Sequence, residues 1–202
     1  MPRLVFGLGN PGEEYARTRH NVGFDVVDVL AKRWGASFER SRFVQAQVAP
    51  VPASRLPDGV DEERVGKVRL VKPSTYMNLC GPAYARALQV FETSVEDALV
   101  VLDDFMLPFG RLRMRREGSS GGHNGLKSIE GSLGSQAYPR LRIGIGAVPG
   151  RKDPADHVLS RYDAVERKEL PFVLEAAADA VATWLTAGID RAMDRHNREP
   201  EA

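Results

Sequence analysis

Only one cysteine, Cys80, occurs in the 202 residues, so no intrachain disulfide can form, and neither a C-x-x-C nor an H-E-x-x-H pattern suggests a metal site. No run reaches the ~18 consecutive apolar residues of a membrane span. The opening MPRLVFGLG is too short an apolar stretch for a signal peptide. A dominant charge is lacking too: 28 Lys and Arg against 27 Asp and Glu leave a net +1. That balance excludes a uniformly basic coat for nucleic acid but permits a local patch. There is no internal repeat and no low-complexity tract. The expectation is a cytoplasmic, soluble protein with no metal and no membrane partner. With 43% hydrophobic and 27% charged residues, the composition is ordinary globular, and the length fits a single domain over 1–202 with a sizeable core.

Short β-branched runs at 4–8, 42–48, 66–72, 99–102 and 141–147 alternate with helical patterns. This predicts an α/β fold with a mixed, largely parallel twisted sheet covered by helices on both faces. A helix is expected from about Asn21, with Val22, Val26, Val29 and Leu30 on one face, and another over CGPAYARALQVF. Residues 163–196 read as a C-terminal helical segment broken into two pieces by Pro171 and Gly188. The proline-rich, charged stretch 50–66 reads as an extended surface insert.

Gly7, Gly9 and Gly12 follow the first apolar run in G-x-G-x-x-G spacing, the fingerprint of a dinucleotide site. Its flanks disagree. Pro11, Glu13 and Glu14 place a stiff ring and negative charge where a pyrophosphate would sit, and the segment around Lys32 and Arg33 is basic where a ribose-binding acid is expected. A turn is the better reading, although a dinucleotide-binding oxidoreductase stays open as a rival.

In open α/β sheets ligands bind beyond the carboxyl ends of strands, and polar residues collect at four such places. Asn10 and His20 follow the first run; Tyr76, Met77 and Asn78 follow VRLVK; Asp103 and Asp104 end LVVL; His123 and Asn124 lie in SSGGHNG. Each has a local explanation: a turn asparagine, a core methionine, aspartates capping a turn, or Asn124 capping the next helix. Together they supply a base, an acid and three carboxamides on one predicted edge. His20 is preferred as the base over His123, because a helix N-terminus would depress its pKa and keep it neutral near pH 7. Asp103 is assigned to orient its ring, with Asp104 as the alternative. No serine or cysteine is placed as a nucleophile, which leaves water. Arg111, Arg113, Arg115 and Arg116, with Arg140, Arg142, Arg151 and Lys152, form the local basic cluster. It fits a polyanion or a solvated edge strand, and alternation puts Arg111, Arg113 and Arg115 on one side of an extended segment. The residues alone thus reach a hydrolase with an anionic partner, and a non-catalytic RNA-binding module remains a second rival.

The blocks GLGNPGEEYARTRHNVGF, KPSTYMNLCG, LDDFMLPFGRLRMR, GSSGGHNGLKSI and YPRLRIGIG, collinear from about residue 3 to 195, resemble the bacterial type of peptidyl-tRNA hydrolase. That family cleaves the ester between a peptide and the 3'-terminal ribose of tRNA. The resemblance implies a monomeric, cofactor-free α/β fold. It implies His20 as general base held by Asp103, and Asn10 in the catalytic set, distinguishing blocked peptidyl from free aminoacyl ends. Tyr15, Tyr76, Asn78 and Asn124 are implied as peptidyl-tRNA contacts, and Met77 and His123, in the same blocks, are counted with them. Arg115 and Arg142 match positions that hold a phosphate of the acceptor stem. The implied partner is peptidyl-tRNA, through its acceptor stem and CCA end. The chain departs from the pattern at Tyr76, where phenylalanine is common, at Cys80, where serine is usual, and at Met106, where a second aspartate often stands. The 50–66 insert has no counterpart in shorter members.

Overall fold

The computed structural model describes residues 1–60, 65–151 and 153–198. Lys152, and 61–64 within the expected insert, lie outside the described residues. Seven strands, β1 (Arg3–Gly7), β2 (Glu39–Arg40), β3 (Ala46–Val51), β4 (Val68–Pro73), β5 (Ala98–Asp104), β6 (Leu112–Arg115) and β7 (Arg140–Gly144), form one sheet in the order β2-β3-β4-β1-β5-β7-β6. Its centre is parallel: β1 lies between β4 and β5, and β5 pairs with β7. The rims are antiparallel, with β2 on β3, β3 on β4, and β6 on β7. Every residue of β5 is buried, as a β-branched strand covered on both faces should be.

On one face lie α1 (Val22–Arg33) and α5 (Ala164–His196); on the other lie α2 (Cys80–Val90) and α3 (Asn124–Leu133). Strand alternation feeds the two layers separately. Val5, Leu99, Val101, Leu141 and Ile143 pack with α1 and α5. Leu4, Phe6, Val100 and Leu102 pack with α2 and α3. A short helix α4 (Pro154–Val158) lies outside both layers, near the carboxyl ends of the strands.

The glycine fingerprint has a packing cause. A Cβ on Gly7 would lie 2.3 Å from the Gly23 carbonyl of α1, and one on Gly9 would lie 2.7 Å from the Phe24 ring. The chain between Gly9 and α1 forms two single 3-10 turns, Glu13–Tyr15 and Arg19–Asn21. The glycines let α1 settle on the strand ends, and α1 starts at Val22, where the hydrophobic spacing placed it.

Three expectations shift. The strand expected at 42–48 is β3 at 46–51, because Ser41 Oγ accepts from the Phe43 and Val44 N–H groups and folds the start of that segment into a turn. Pro50 and Val51 therefore pair with Arg69 and Val68 instead of opening the insert, and Ala53–Arg55 beyond them is a 3-10 turn. Pro50 is tolerated because it lies past the two residues of β2, where β3 has become an edge. Of the two expected breaks in the C-terminal helix only Gly188 is one, at φ 83°. Pro171 sits on an exposed face, where water can satisfy the carbonyl it strands. By length and composition α5 could cross a bilayer; Ala177, Val181, Trp184 and Leu185 are instead buried against α1 and β6.

Candidate active site

The carboxyl ends of β1, β4 and β5 open onto a cleft of about 440 Å³. Asn10, Tyr15, His20, Tyr76, Met77, Asn78, Asp103, His123 and Asn124 all line it. Nine residues picked from four separate sequence blocks therefore meet in one place. Arg115 and Arg142 do not line it.

His20 sits in the single turn Arg19–Asn21 just before α1 and is buried. Its Nδ1 lies 2.8 Å from Asp103 Oδ1 and 3.0 Å from Oδ2. Nδ1 must carry the proton to donate to a carboxylate, which leaves the Nε2 lone pair free. Burial pulls the His20 pKa down, but the charge and hydrogen bond of Asp103 outweigh it, so the pKa stands above the ordinary 6.5. This reverses the expected depression by a helix N-terminus. The partial charge of one helix end is outweighed by a full carboxylate at contact distance. Asp103, almost wholly buried, is pushed up by desolvation yet held well below the usual carboxylate range by His20 and His123.

The rival histidine is excluded as a free base by its bonds. His123 is the N-cap of α3: its Nδ1 accepts from the N–H groups of Gly125, at 3.1 Å, and Leu126, at 3.4 Å. An accepting Nδ1 requires a protonated Nε2, and Nε2 donates to Asp103 Oδ1 at 3.0 Å. Both nitrogens are spent. Asn124 is thus the first residue of α3 rather than its cap, with its amide exposed to the cleft. The same tautomer argues against a metal. The ligand atoms of His20, Asp103 and His123 lie within 4.8 Å of one another, but coordination through His123 Nε2 would put a proton on Nδ1 facing two N–H donors.

Asn10 is fixed by a residue that sequence reasoning missed. Asn21 Oδ1 accepts from the Asn10 N–H, and Asn21 Nδ2 donates to the Asn10 carbonyl, both at 2.9 Å. The only signal was adjacency to His20. Asn10 Oδ1 accepts from the Met77 N–H at 2.7 Å, which orients the amide and leaves Nδ2 as the group open to the cleft. Met77 is buried and packs where a Cβ on Gly125 would come within 2.6 Å of its sulfur, so it ties the β4 end to the start of α3. Tyr15 and Tyr76 meet edge to face at 6.2 Å, with Tyr76 half exposed. Phe105, Pro154, Ala155, Val158 and Leu159 give the opposite wall an apolar surface.

The arginine cluster divides. Arg113 and Arg115 of β6 stand opposite Arg142 and Arg140 of β7 and so share a sheet face, while Leu112 and Met114 turn into the core as alternation predicted. Arg140 is buried against Tyr138 and donates to the carbonyls of Gly118, Gln136 and Tyr138. Arg142 faces Asp104 at 3.1 Å. Arg111 donates to the carbonyls of Asn197 and Arg198, and Arg116 pairs with Asp190. The expectation that Arg111 joins Arg113 and Arg115 in a polyanion patch is therefore corrected. Asp104 Oδ1 also accepts from the Met106 N–H at 2.9 Å, so Asp104 caps a turn and Asp103 faces the histidines.

A family profile described as Peptidyl-tRNA hydrolase matches residues 4–202. A peptidyl-tRNA hydrolase of Chloroflexus aggregans is 48% identical over 195 residues, covering 96% of this chain and 98% of that protein. One of Kineococcus radiotolerans is 46% identical over 192 residues, 95% of each chain. The crystal structure of the peptidyl-tRNA hydrolase of Acinetobacter baumannii superposes with a TM-score of 0.85 at 30% identity, covering 96% of this chain and 94% of that one.

Proposed function

Because this chain belongs to the peptidyl-tRNA hydrolase family, we propose that His20 is the general base of its reaction and Asp103 its orienting carboxylate. The reaction is hydrolysis of the ester that joins a peptide to tRNA. The observation that carries the assignment is the pairing of Nδ1 with Asp103, which, among the described residues, leaves Nε2 as the one unengaged ring nitrogen of the two histidines of the cleft.

Water in the cleft gives its proton to His20 Nε2 as its oxygen adds to the ester carbonyl. The imidazolium keeps its Nδ1–H on Asp103, whose charge stabilises it. An amide N–H of Asn78 or Asn124 meets the carbonyl oxygen as it becomes an oxyanion. Collapse breaks the bond to the ribose oxygen, which takes the proton back from His20, and peptide and tRNA leave. Asn10 selects blocked substrates. Its Nδ2 is a donor that suits the carbonyl of an acylated amine, whereas a free α-ammonium offers only further donors and positive charge. Tyr15, Tyr76 and Met77 bound the space for the CCA end and first peptide residues, and His123 holds Asp103. Arg115 and Arg142 receive acceptor-stem phosphate. The working unit is a monomer, and the cytoplasm is where translation presents the substrate. Gly7 and Gly9 pack against α1 and leave no room there for a pyrophosphate, which speaks against the dinucleotide reading.

The test is His20→Ala, assayed on peptidyl-tRNA. A loss on the order of 10²- to 10⁴-fold in kcat with little change in tRNA affinity is expected; turnover within threefold of wild type would remove His20 from the role.

A further inference from the structure

His20 rides on a single 3-10 turn, a form too short to hold a side chain rigidly by its own hydrogen bonds. What fixes that turn is its neighbour. Arg19 is buried, and its guanidinium meets the carboxylate of Glu166 through two bonds, Nη1 to Oε1 at 2.7 Å and Nη2 to Oε2 at 2.6 Å. Nη1 also donates to the Ile145 carbonyl at 3.0 Å, and Nε to Ser160 Oγ at 3.3 Å. The Arg19 N–H donates to the Ser160 carbonyl at 3.0 Å, and the guanidinium stacks over Tyr162 at 4.9 Å. Ile145 continues β7, and Ser160 follows the cleft wall α4. Glu166 is the third residue of α5, where it also closes the capping box by accepting from the Asp163 N–H at 2.8 Å.

We propose that Arg19 and Glu166 form the positioning device of the active site, a buried bidentate ion pair that locks the turn carrying His20 to the end of β7, to the segment behind α4 and to the N-terminus of α5. Arg19 and Glu166 touch no substrate; they act through His20. A planar guanidinium holding two carboxylate oxygens fixes orientation as well as distance, which a lysine cannot reproduce. Because the pair is largely buried, removing one partner leaves an uncompensated charge that draws the other, and the turn with it, out of place. The consequence falls on the contact between His20 Nδ1 and Asp103. Among the described residues the ionisable groups facing His20 are Asp103 from β5 and His123, whose ring centroid lies 5.1 Å from that of His20, so loosening the turn weakens the interaction with Asp103 that raises its pKa.

The proposal rests on His20 as the base, and the test keeps the two apart. His20→Ala decides the base; Glu166→Gln and Arg19→Lys, assayed as full chains on peptidyl-tRNA below their melting transitions, decide the pair. Glu166→Gln is expected to lower kcat on the order of tenfold, since small misplacements of a reacting group are costly. The acid limb of kcat/KM should move down toward 6.5, the ordinary histidine value, a readout that lower stability alone does not shift. Arg19→Lys, which keeps the charge but not the fork, should fall between Glu166→Gln and wild type. Folded variants with an unmoved acid limb, whether or not kcat falls, overturn the assignment. Failure of both variants to fold overturns it as well, because the pair would then serve folding rather than the site.

Discussion

Asp103 accepts from the Nδ1–H of His20 and the Nε2–H of His123, so deleting the carboxylate and deleting the second histidine should act in opposite directions on the base. In Asp103→Asn the opposition to burial disappears. The acid limb of kcat/KM, which should lie above 6.5 in the wild type because the base works deprotonated and its pKa is raised, is expected to drop below that value. Turnover should fall on the order of 10²- to 10⁴-fold because the amide no longer enforces the tautomer. Asparagine is a good N-cap, so His123→Asn should still start α3. It removes one donor from Asp103, leaving a more basic carboxylate for His20, and the acid limb should move up while kcat stays within about tenfold. A loss as deep as that of His20→Ala would show that His123 takes part in the reaction itself. For Asn10→Asp, a carboxylate oxygen can still accept from the Met77 N–H while the other pairs with a free α-ammonium. The ratio of kcat/KM for peptidyl-tRNA over aminoacyl-tRNA should therefore shrink, and an unchanged ratio would exclude Asn10 from selection.

Among the elements, two helical glycines make opposite predictions from the same substitution. A Cβ on Gly81, in the first turn of α2, would lie 2.0 Å from the Ser128 carbonyl of α3, and the Gly81 N–H donates to Ser128 Oγ at 2.8 Å. Gly81→Ala must push α2 and α3 apart and should cost at least ~1–3 kcal/mol. Gly131, in α3 and exposed, has nothing within 4 Å of the added atom; Gly131→Ala should stabilise by roughly 0.5–1 kcal/mol through helix propensity. Denaturant melts of the two variants check both signs. The same scale shows why some elements could be read in advance. α1 announced itself through Val22, Val26 and Leu30. The 3-10 turns over Glu13–Tyr15, Arg19–Asn21 and Met77–Leu79 carry no periodicity, because three residues define no face.

For the whole molecule, a net charge of +1 means that attraction for a polyanion must come from asymmetry. Among the described residues the guanidinium groups of Arg113 and Arg115 have no ion-pair or hydrogen-bond partner, and they share a sheet face with Arg142 beside the glycine-rich loop that leads to Asn124. Arg115→Ala is expected to raise KM for peptidyl-tRNA at low salt and to lower the salt slope of log K by roughly 0.7 to 0.9, the share of one phosphate contact. Arg142→Ala should act in the same direction but also free Asp104. Hydrolysis of a peptidyl-adenosine ester, which lacks the stem, should be nearly unaffected by either; equal losses on ester and tRNA would discard the anchor role. Arg111→Ala is the control. Its guanidinium holds the carbonyls of Asn197 and Arg198, so it should lower the melting temperature and leave the salt slope alone.

What the sequence determined by itself is what local chemistry can encode. β-branched runs and helical spacing determined the α/β class and its parallel centre, and alternation determined which way Leu112 and Met114 turn. The polar residues placed just past strand ends determined that His20, Asp103 and the three asparagines would gather on one edge. Tertiary structure decided everything that depends on a second partner distant in sequence. It set which ring nitrogens of His20 and His123 are already bonded. It fixed the orientation of the Asn10 amide, through the Met77 N–H 67 residues away. It raised the His20 pKa where the helix end alone would have lowered it. It also gave Arg19 to Glu166 across 147 residues, because hydrogen-bond partners and local electric fields are set by distances in space, which spacing along the chain does not contain.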